Sequence, residues 1–404
     1  MRVTSRAPLN ALLAAVVVSG VGDLLFDIYV AWSVAQAQGT VMAAAAVLGA
    51  SILFRALLSL VLGGIIDRFP KRLVLLGSNV GSIGILLILL GTLNASLRLV
   101  WPAVVLVLLN DVFNEMFRSA YVVTGSLLAD ETQFIRFQAR AAIALRIVGT
   151  AGMVGAGALI ALLPGSLVVV VDIGTFVVSA ALCTSVRVGR AGHYGSFFDF
   201  REFYSDLRFA LREVSRDSLL KQFVVLMLVL NLAYGFVPQM LPLVIANDRS
   251  SALDLGLLRA GLALGEIFGL IVVERVGRHV SSLFRISMLG CGLSVFAATL
   301  GFPVWLAIGM LALYGAFDSL SQPLFSYTVT QIEPSIRGRI LGGINGLILL
   351  SPTLGIFLGS QLAARASWLA GAFVATIFFS GFLIVSVSKT LGKISPATAE
   401  TVAG

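Results

Sequence analysis

Apolar residues in this chain come in long blocks separated by short polar turns. A helix needs about 20 such residues to cross a hydrocarbon core of roughly 30 Å. Blocks of that kind are predicted at 9–36, 40–66, 73–94, 99–127, 139–163, 166–187, 219–246, 252–275, 281–301, 303–331, 338–363 and 367–389. The one long polar interruption is 188–218. It divides the chain into an N-terminal bundle (1–187), a linker (188–218) and a C-terminal bundle (219–404). Inside the linker, Phe200, Phe203, Leu207, Leu211 and Val214 recur at spacings of three and four, with charged residues on the opposite face. That periodicity predicts an amphipathic helix on the inner membrane surface or against the bundle. The expected fold is an all-α membrane protein with twelve transmembrane helices in two six-helix bundles.

Composition agrees with this reading. Of 404 residues, 58% are hydrophobic and 12% are charged, half the share usual in soluble domains. The net charge of +8 does not point to nucleic acid, because Lys and Arg sit at block ends. One side collects Arg2, Arg6, Arg68, Lys71, Arg72 and most of the others. The opposite side holds only Arg98, Arg249, Arg259 and Arg365. The richer side is expected to be cytoplasmic, with both termini there. The first block resembles a signal peptide, but it runs on through Asp23 and Asp27 and is expected to stay as the first helix. Two cysteines and two distant histidines argue against a disulfide framework or a metal site. With no phosphate-binding loop and no nucleophile–His–acid set, neither enzyme activity nor a cofactor is expected. Energy would come from an ion gradient, a proton gradient first, or from the substrate's own gradient.

The stretch "LGGIIDRFPKRL" at 62–73 places Gly63, Asp67, Arg68, Lys71 and Arg72 at the pattern G-x-x-x-D-R-x-x-R/K-R/K. Positive-inside topology accounts for the basic residues but not for the acid and the glycine at fixed spacing. The pattern resembles the signature between the second and third helices of the major facilitator superfamily. The second half repeats it in weakened form, with Glu274, Arg275 and Arg278 in "LIVVERVGRH". An internal repeat of this kind is what a two-bundle transporter predicts. The resemblance implies an inner gate held by these charges, with Asp67 near a helix N-terminus of the other bundle. Further segments, among them "GVGDLLFDIYVAW" and "NLAYGFVPQMLPLV", are similar to the drug-exporter branch that includes macrolide efflux proteins and the enterobactin exporter. The chain departs from the antiporters of that superfamily in its fifth block. "GTAGMVGAGAL" lacks the usual proline, and a Pro-Gly version stands in the eleventh block, "SPTLGIFLG".

Ionisable groups inside membrane blocks are costly and mark cavities, pairs or proton sites. Asp23 and Asp27 lie four apart on one face of the first block, and Asp111, Glu115 and Arg118 line a face of the fourth. Arg55 lies in the second block. Four acids against two bases leave at least some acids without a cation of their own, and these are the candidates for proton or substrate binding. Glu266 and Asp318 are the corresponding candidates in the second half, and Arg146 is a candidate partner for Asp172 or Glu115. Asp172 itself resembles a common family residue and is expected to be structural. Pro238 and Pro242 would make a bendable outer gate in the seventh block. Asn231, Tyr234, Gln239 and Gln322 are candidate cavity-lining residues.

The expectation is a monomeric, proton-coupled exporter of amphipathic cationic or zwitterionic compounds in the inner (plasma) membrane of a prokaryote. Asp23, Asp27 or Glu266 would give up a proton as substrate binds. The alternatives are export of a metallophore, transport of a metal ion or small metabolite, a lipid flippase, and a receptor that transports nothing.

Overall fold

The computed structural model describes residues 6–66, 69–98, 100–129, 162–186, 200–247, 252–276, 280–330 and 350–388, with isolated positions at 133–160 and 340–348. Every secondary-structure element among the described residues is a helix. The chain divides into two compact units, residues 1–199 and 200–404.

The first unit contains α1 (Arg6–Gln38), α2 (Val41–Ile66), α3 (Lys71–Arg98), α4 (Val100–Leu128) and α5 (Gly165–Thr184). At 33 residues, α1 is ~50 Å long, more than a bilayer core requires. The turn after α1 is closed by Gly39 at φ 63°, a left-handed conformation that disfavours a side chain. Pro164 immediately precedes α5, where its fixed φ and missing N–H cost nothing. The core joins Leu12, Val16, Leu75, Phe117 and Tyr121 with Cys183.

The second unit begins with α6 (Phe200–Arg216), the amphipathic helix expected in the linker. Its Val214 packs with Leu220, Val224 and Ile340, so the end of this helix rests on its own bundle. Asp217 then caps the next helix, accepting from the Leu219 and Leu220 amides at 2.7 and 3.2 Å. There follow α7 (Ser218–Gln239), α8 (Leu241–Asn247), α9 (Ala252–Val276), α10 (Val280–Ala298), α11 (Val304–Ser319), α12 (Gln322–Thr330), α13 (Ser351–Ala363) and α14 (Ser367–Val387).

The seventh and tenth apolar blocks are each split in two. In both cases the break falls three residues or fewer before a proline, Pro242 in α8 and Pro323 in α12. A proline removes one backbone donor and clashes with the carbonyl four residues back. Around the second break the Leu320 and Ser321 amides turn to carbonyls only three residues back.

Packing repeats between the units. In the first, α1 packs on α5, α2 on α4, and α3 on α4 and α5. In the second, α7 packs on α14, α9 on α11, and α10 on α11 and α14. The α9–α11 pair packs backbone to backbone through glycines. Gly261, Gly265 and Gly269 face the carbonyls of Ile308, Ala312 and Ala316, and Gly315 faces that of Leu262. A Cβ at Gly265 would run into the Ala312 carbonyl, which is fixed backbone and cannot swing aside. Gly265→Ala is therefore expected to destabilise the second unit by about 2 kcal/mol. Scanning fluorimetry should show a lowered melting temperature, and a wild-type value would refute the close contact.

Among the described residues, nine helices are long and apolar enough to cross a membrane. Val100–Leu128 is equally long, but Asn110, Asp111, Asn114, Glu115 and Arg118 interrupt its apolar run. The interruption marks the site.

Candidate functional site

Three helices of the first unit bring their charges together. Arg55 on α2 reaches Asp27 on α1 through Nη2 at 3.1 Å and Asp111 on α4 through Nε at 3.1 Å. Ser51, one turn earlier on α2, accepts from the same Nε and Nη2 at 3.1 and 2.9 Å. One guanidinium thus serves two carboxylates from two other helices. The burial is uneven: the Asp111 side chain is 3% exposed, against 34% for Asp27.

Asp23 lies one turn before Asp27 yet makes no ion pair. Its Oδ1 accepts from the Asn114 amide at 2.9 Å, and the Asn114 oxygen accepts in turn from Ser82 on α3 at 3.3 Å. Glu115 is buried and sits 3.9 Å from Arg118, an exposed side chain one turn further along α4. Asp23, Arg55, Asn114, Glu115, Arg118 and Tyr121 line a cavity of about 600 Å³. Of these, Asp23 is the acid with only a neutral partner.

A fifth acid joins the cluster. Asp172 on α5 is fully buried, and its carboxyl lies against the backbone of α1 at Gly22. Among the described residues, the charges that act on it are those of Asp23 and Asp27. Its presence here is legible only in hindsight, from a lone acid in the apolar run "VVVVDIGTF" and a glycine beside Asp23.

The candidates of the second unit are spread along its helices. Glu266 lies on α9, where its backbone carbonyl accepts from Ser319 at 3.0 Å. Asp318 lies near the end of α11, beside the buried Tyr234 hydroxyl and Ser321. The Tyr234 ring packs edge-on against Phe378. Asn231 spends its amide on the Met227 carbonyl of its own helix, and Gln322 is exposed. Pro238 and Pro242 flank the break at Met240. There the Gln239 carbonyl accepts from Arg259 at 3.2 Å. Arg259 is a buried residue, which the charge pattern alone did not reveal.

The gate motif is partly described. Gly63 lies in the last turn of α2. Arg72 donates to the Thr184 carbonyl at 2.8 Å, so it caps the C-terminus of α5 within its own unit. Glu274 and Arg275 end α9. Asp67, Arg68, Arg146 and Arg278 lie outside the described residues.

The sequence pattern of the Major Facilitator Superfamily matches residues 12–331, most of the chain. The chain belongs to the Major Facilitator Superfamily. It is a multi-pass membrane transporter, not an enzyme. It is 24% identical over 385 residues to the multidrug efflux pump Tap of Mycolicibacterium fortuitum, across 90% of this chain and 91% of that one. Solved structures share the fold. The nucleoside transporter NupG superposes with a TM-score of 0.64 at 14% identity, covering 94% of this chain and 100% of that one. A bacterial homologue of the iron transporter ferroportin, in its inward-facing state, gives 0.64 at 16%, covering 93% and 98%. These members differ in what their names say they carry, so the superfamily fold alone does not choose the cargo.

Proposed function

We propose that this transporter is a proton-coupled exporter of amphipathic cations in the plasma membrane of a prokaryote, working as a monomer with both termini in the cytoplasm. One observation carries the reading: Asp23 lines the cavity with only a neutral amide as partner, while Arg55 holds Asp27 and Asp111. An acid in a membrane cavity without its own cation can take either a proton or a cationic substrate. A cation beside this carboxylate and a proton on the acid cluster around it exclude one another, and that exclusion is the coupling. Phe117 and Tyr121 in the same wall suit the apolar body of an amphipathic cation. Alternating access would expose the site to each side in turn. Efflux of such compounds agrees with the multidrug pump among the relatives.

Transport of a metal ion or metallophore is less well supported. Among the described residues, no group of three or more His, Cys, Asp or Glu could hold a metal ion. Proteoliposomes loaded with ethidium test the reading. An imposed proton gradient should drive ethidium against its own gradient, with matching proton flux. Proton flux driven by a divalent metal and not by ethidium would replace it with the metal alternative.

A further inference from the structure

Asp172 is the buried acid that the coupling scheme leaves without a task. Its Oδ2 has no hydrogen-bond partner. Its Oδ1 receives a long 3.4 Å contact from Thr175, whose hydroxyl gives its shorter bond, 2.7 Å, to the Asp172 backbone carbonyl. Any side chain at Gly22 would strike this carboxyl, so acid and α1 backbone are in direct contact. The residue after Gly22 is Asp23, which lines the cavity.

Among the described residues, the charged groups that act on Asp172 are Asp23 and Asp27, both of its own sign. Asp27 is held by Arg55. α3, which also packs on α5, carries charge only at its ends, as Lys71, Arg72 and Arg98. Arg72 is bound at Thr184, ~18 Å along the helix from Asp172. Among the described residues, an ionised carboxylate in such a place has no counter-charge. Two neighbouring carboxyls cannot readily both ionise when the cation near them, Arg55, is already shared by Asp27 and Asp111.

We propose that Asp172 and Asp23 form an acid pair sharing one proton across the α1–α5 contact, and that the proton released when a cation enters the cavity is the one on Asp172. The inference rests on the cation–proton coupling proposed above. With the cavity empty, Asp23 is ionised and Asp172 carries the proton, a net charge of −1. A cation settles beside Asp23 and offsets its charge. The Asp172 O–H bond then breaks, the proton leaves to water past Asp23, and the electron pair stays on Asp172. Two carboxylates and one cation again sum to −1, so the exchange is electrically balanced. Gly22 keeps the two acids near enough to act as a pair.

The test uses the purified full chain with tetraphenylphosphonium as probe, following released protons with an indicator dye and binding by calorimetry. Wild type should release a proton as the cation binds. Asp172→Asn should keep its affinity within about threefold and lose the release. In the ligand-free protein, the infrared C=O stretch of a protonated carboxylic acid should lose a component in Asp172→Asn and keep it in Asp23→Asn. Asp172→Glu, which retains the acid, should move that component, and it serves if the Asn variant is not recovered. Undiminished proton release from Asp172→Asn, or an infrared band untouched by either Asp172 substitution, overturns the acid pair. If wild type binds the cation without releasing a proton, the coupled reading fails. The infrared comparison needs no ligand and still decides whether Asp172 holds a proton.

Discussion

Asp23→Asn is expected to abolish proton-driven efflux while leaving the protein folded. The argument is one of partners. Among the described residues, Asp23 has one hydrogen-bond partner, the Asn114 amide, and an asparagine at 23 can accept the same bond through its own oxygen. No ion pair is lost and no buried charge is stranded, so the melting temperature should stay close to wild type. What disappears is the charge beside which the cationic substrate settles, and with it the exchange for a proton. Uphill transport in proteoliposomes should fall about a hundredfold, near the upper end of ordinary coupling free energies. Asp27→Asn is the informative contrast. Asp27 is already paired with Arg55, and its removal leaves Arg55 the Asp111 carboxylate, so a smaller loss is expected. If Asp27→Asn instead proved the more damaging for coupling, the assignment of the cation-binding acid to Asp23 would be wrong.

The sequence held most of the fold, because a bilayer imposes a length on every spanning element and the apolar blocks record that length directly. The positions of the helix breaks were less visible. Pro238 and Pro242 announce the first break, but the one at Leu320–Ser321 depends on Pro323, whose effect shows only once the helix that would have continued through it is seen to stop. The site was legible by halves. The spacing of Asp23 and Asp27, and of Asp111 and Glu115, puts each pair on one helical face whatever the tertiary structure. Which acid receives Arg55 depends on how α1, α2 and α4 are rotated about their axes. No spacing within a single helix encodes that rotation. Asp172 was the harder case. It joins the cluster because α5 approaches α1 at a glycine, and a contact made by the absence of a side chain leaves little trace in a pattern of apolar and polar letters. Arg259 illustrates the converse. A charge count assigns it to a helix end, whereas the backbone carbonyl exposed by a broken helix gives it a buried partner.

Arg55→Ala should be the most destabilising single change in the charged cluster. It removes the cation shared by Asp27 and Asp111 and strands Asp111, whose side chain is almost wholly buried. Breaking a buried pair from one side costs about 3–5 kcal/mol. Arg55 and Asp27 are each about a third exposed, so water screens part of their interaction and the lower end, about 3 kcal/mol, is the reasonable figure. The order among related variants follows from the same geometry. Asp27→Asn should cost least, because water reaches the carboxylate it replaces. Asp111→Asn should recover much of the stability lost in Arg55→Ala, since the stranded charge goes with it, whereas Asp27→Asn in that background should recover little. Melting temperatures of the wild type, the three single variants and the two doubles form double-mutant cycles that measure each coupling separately. Additive effects of Arg55→Ala and Asp111→Asn would mean that the 3.1 Å contact carries no energy. The guanidinium would then be no part of what holds α1, α2 and α4 around the cavity. A strongly negative coupling would instead place Arg55 as the fixed internal cation, engaged by Asp27 and Asp111, which leaves Asp23, one turn before Asp27, open to a cationic substrate.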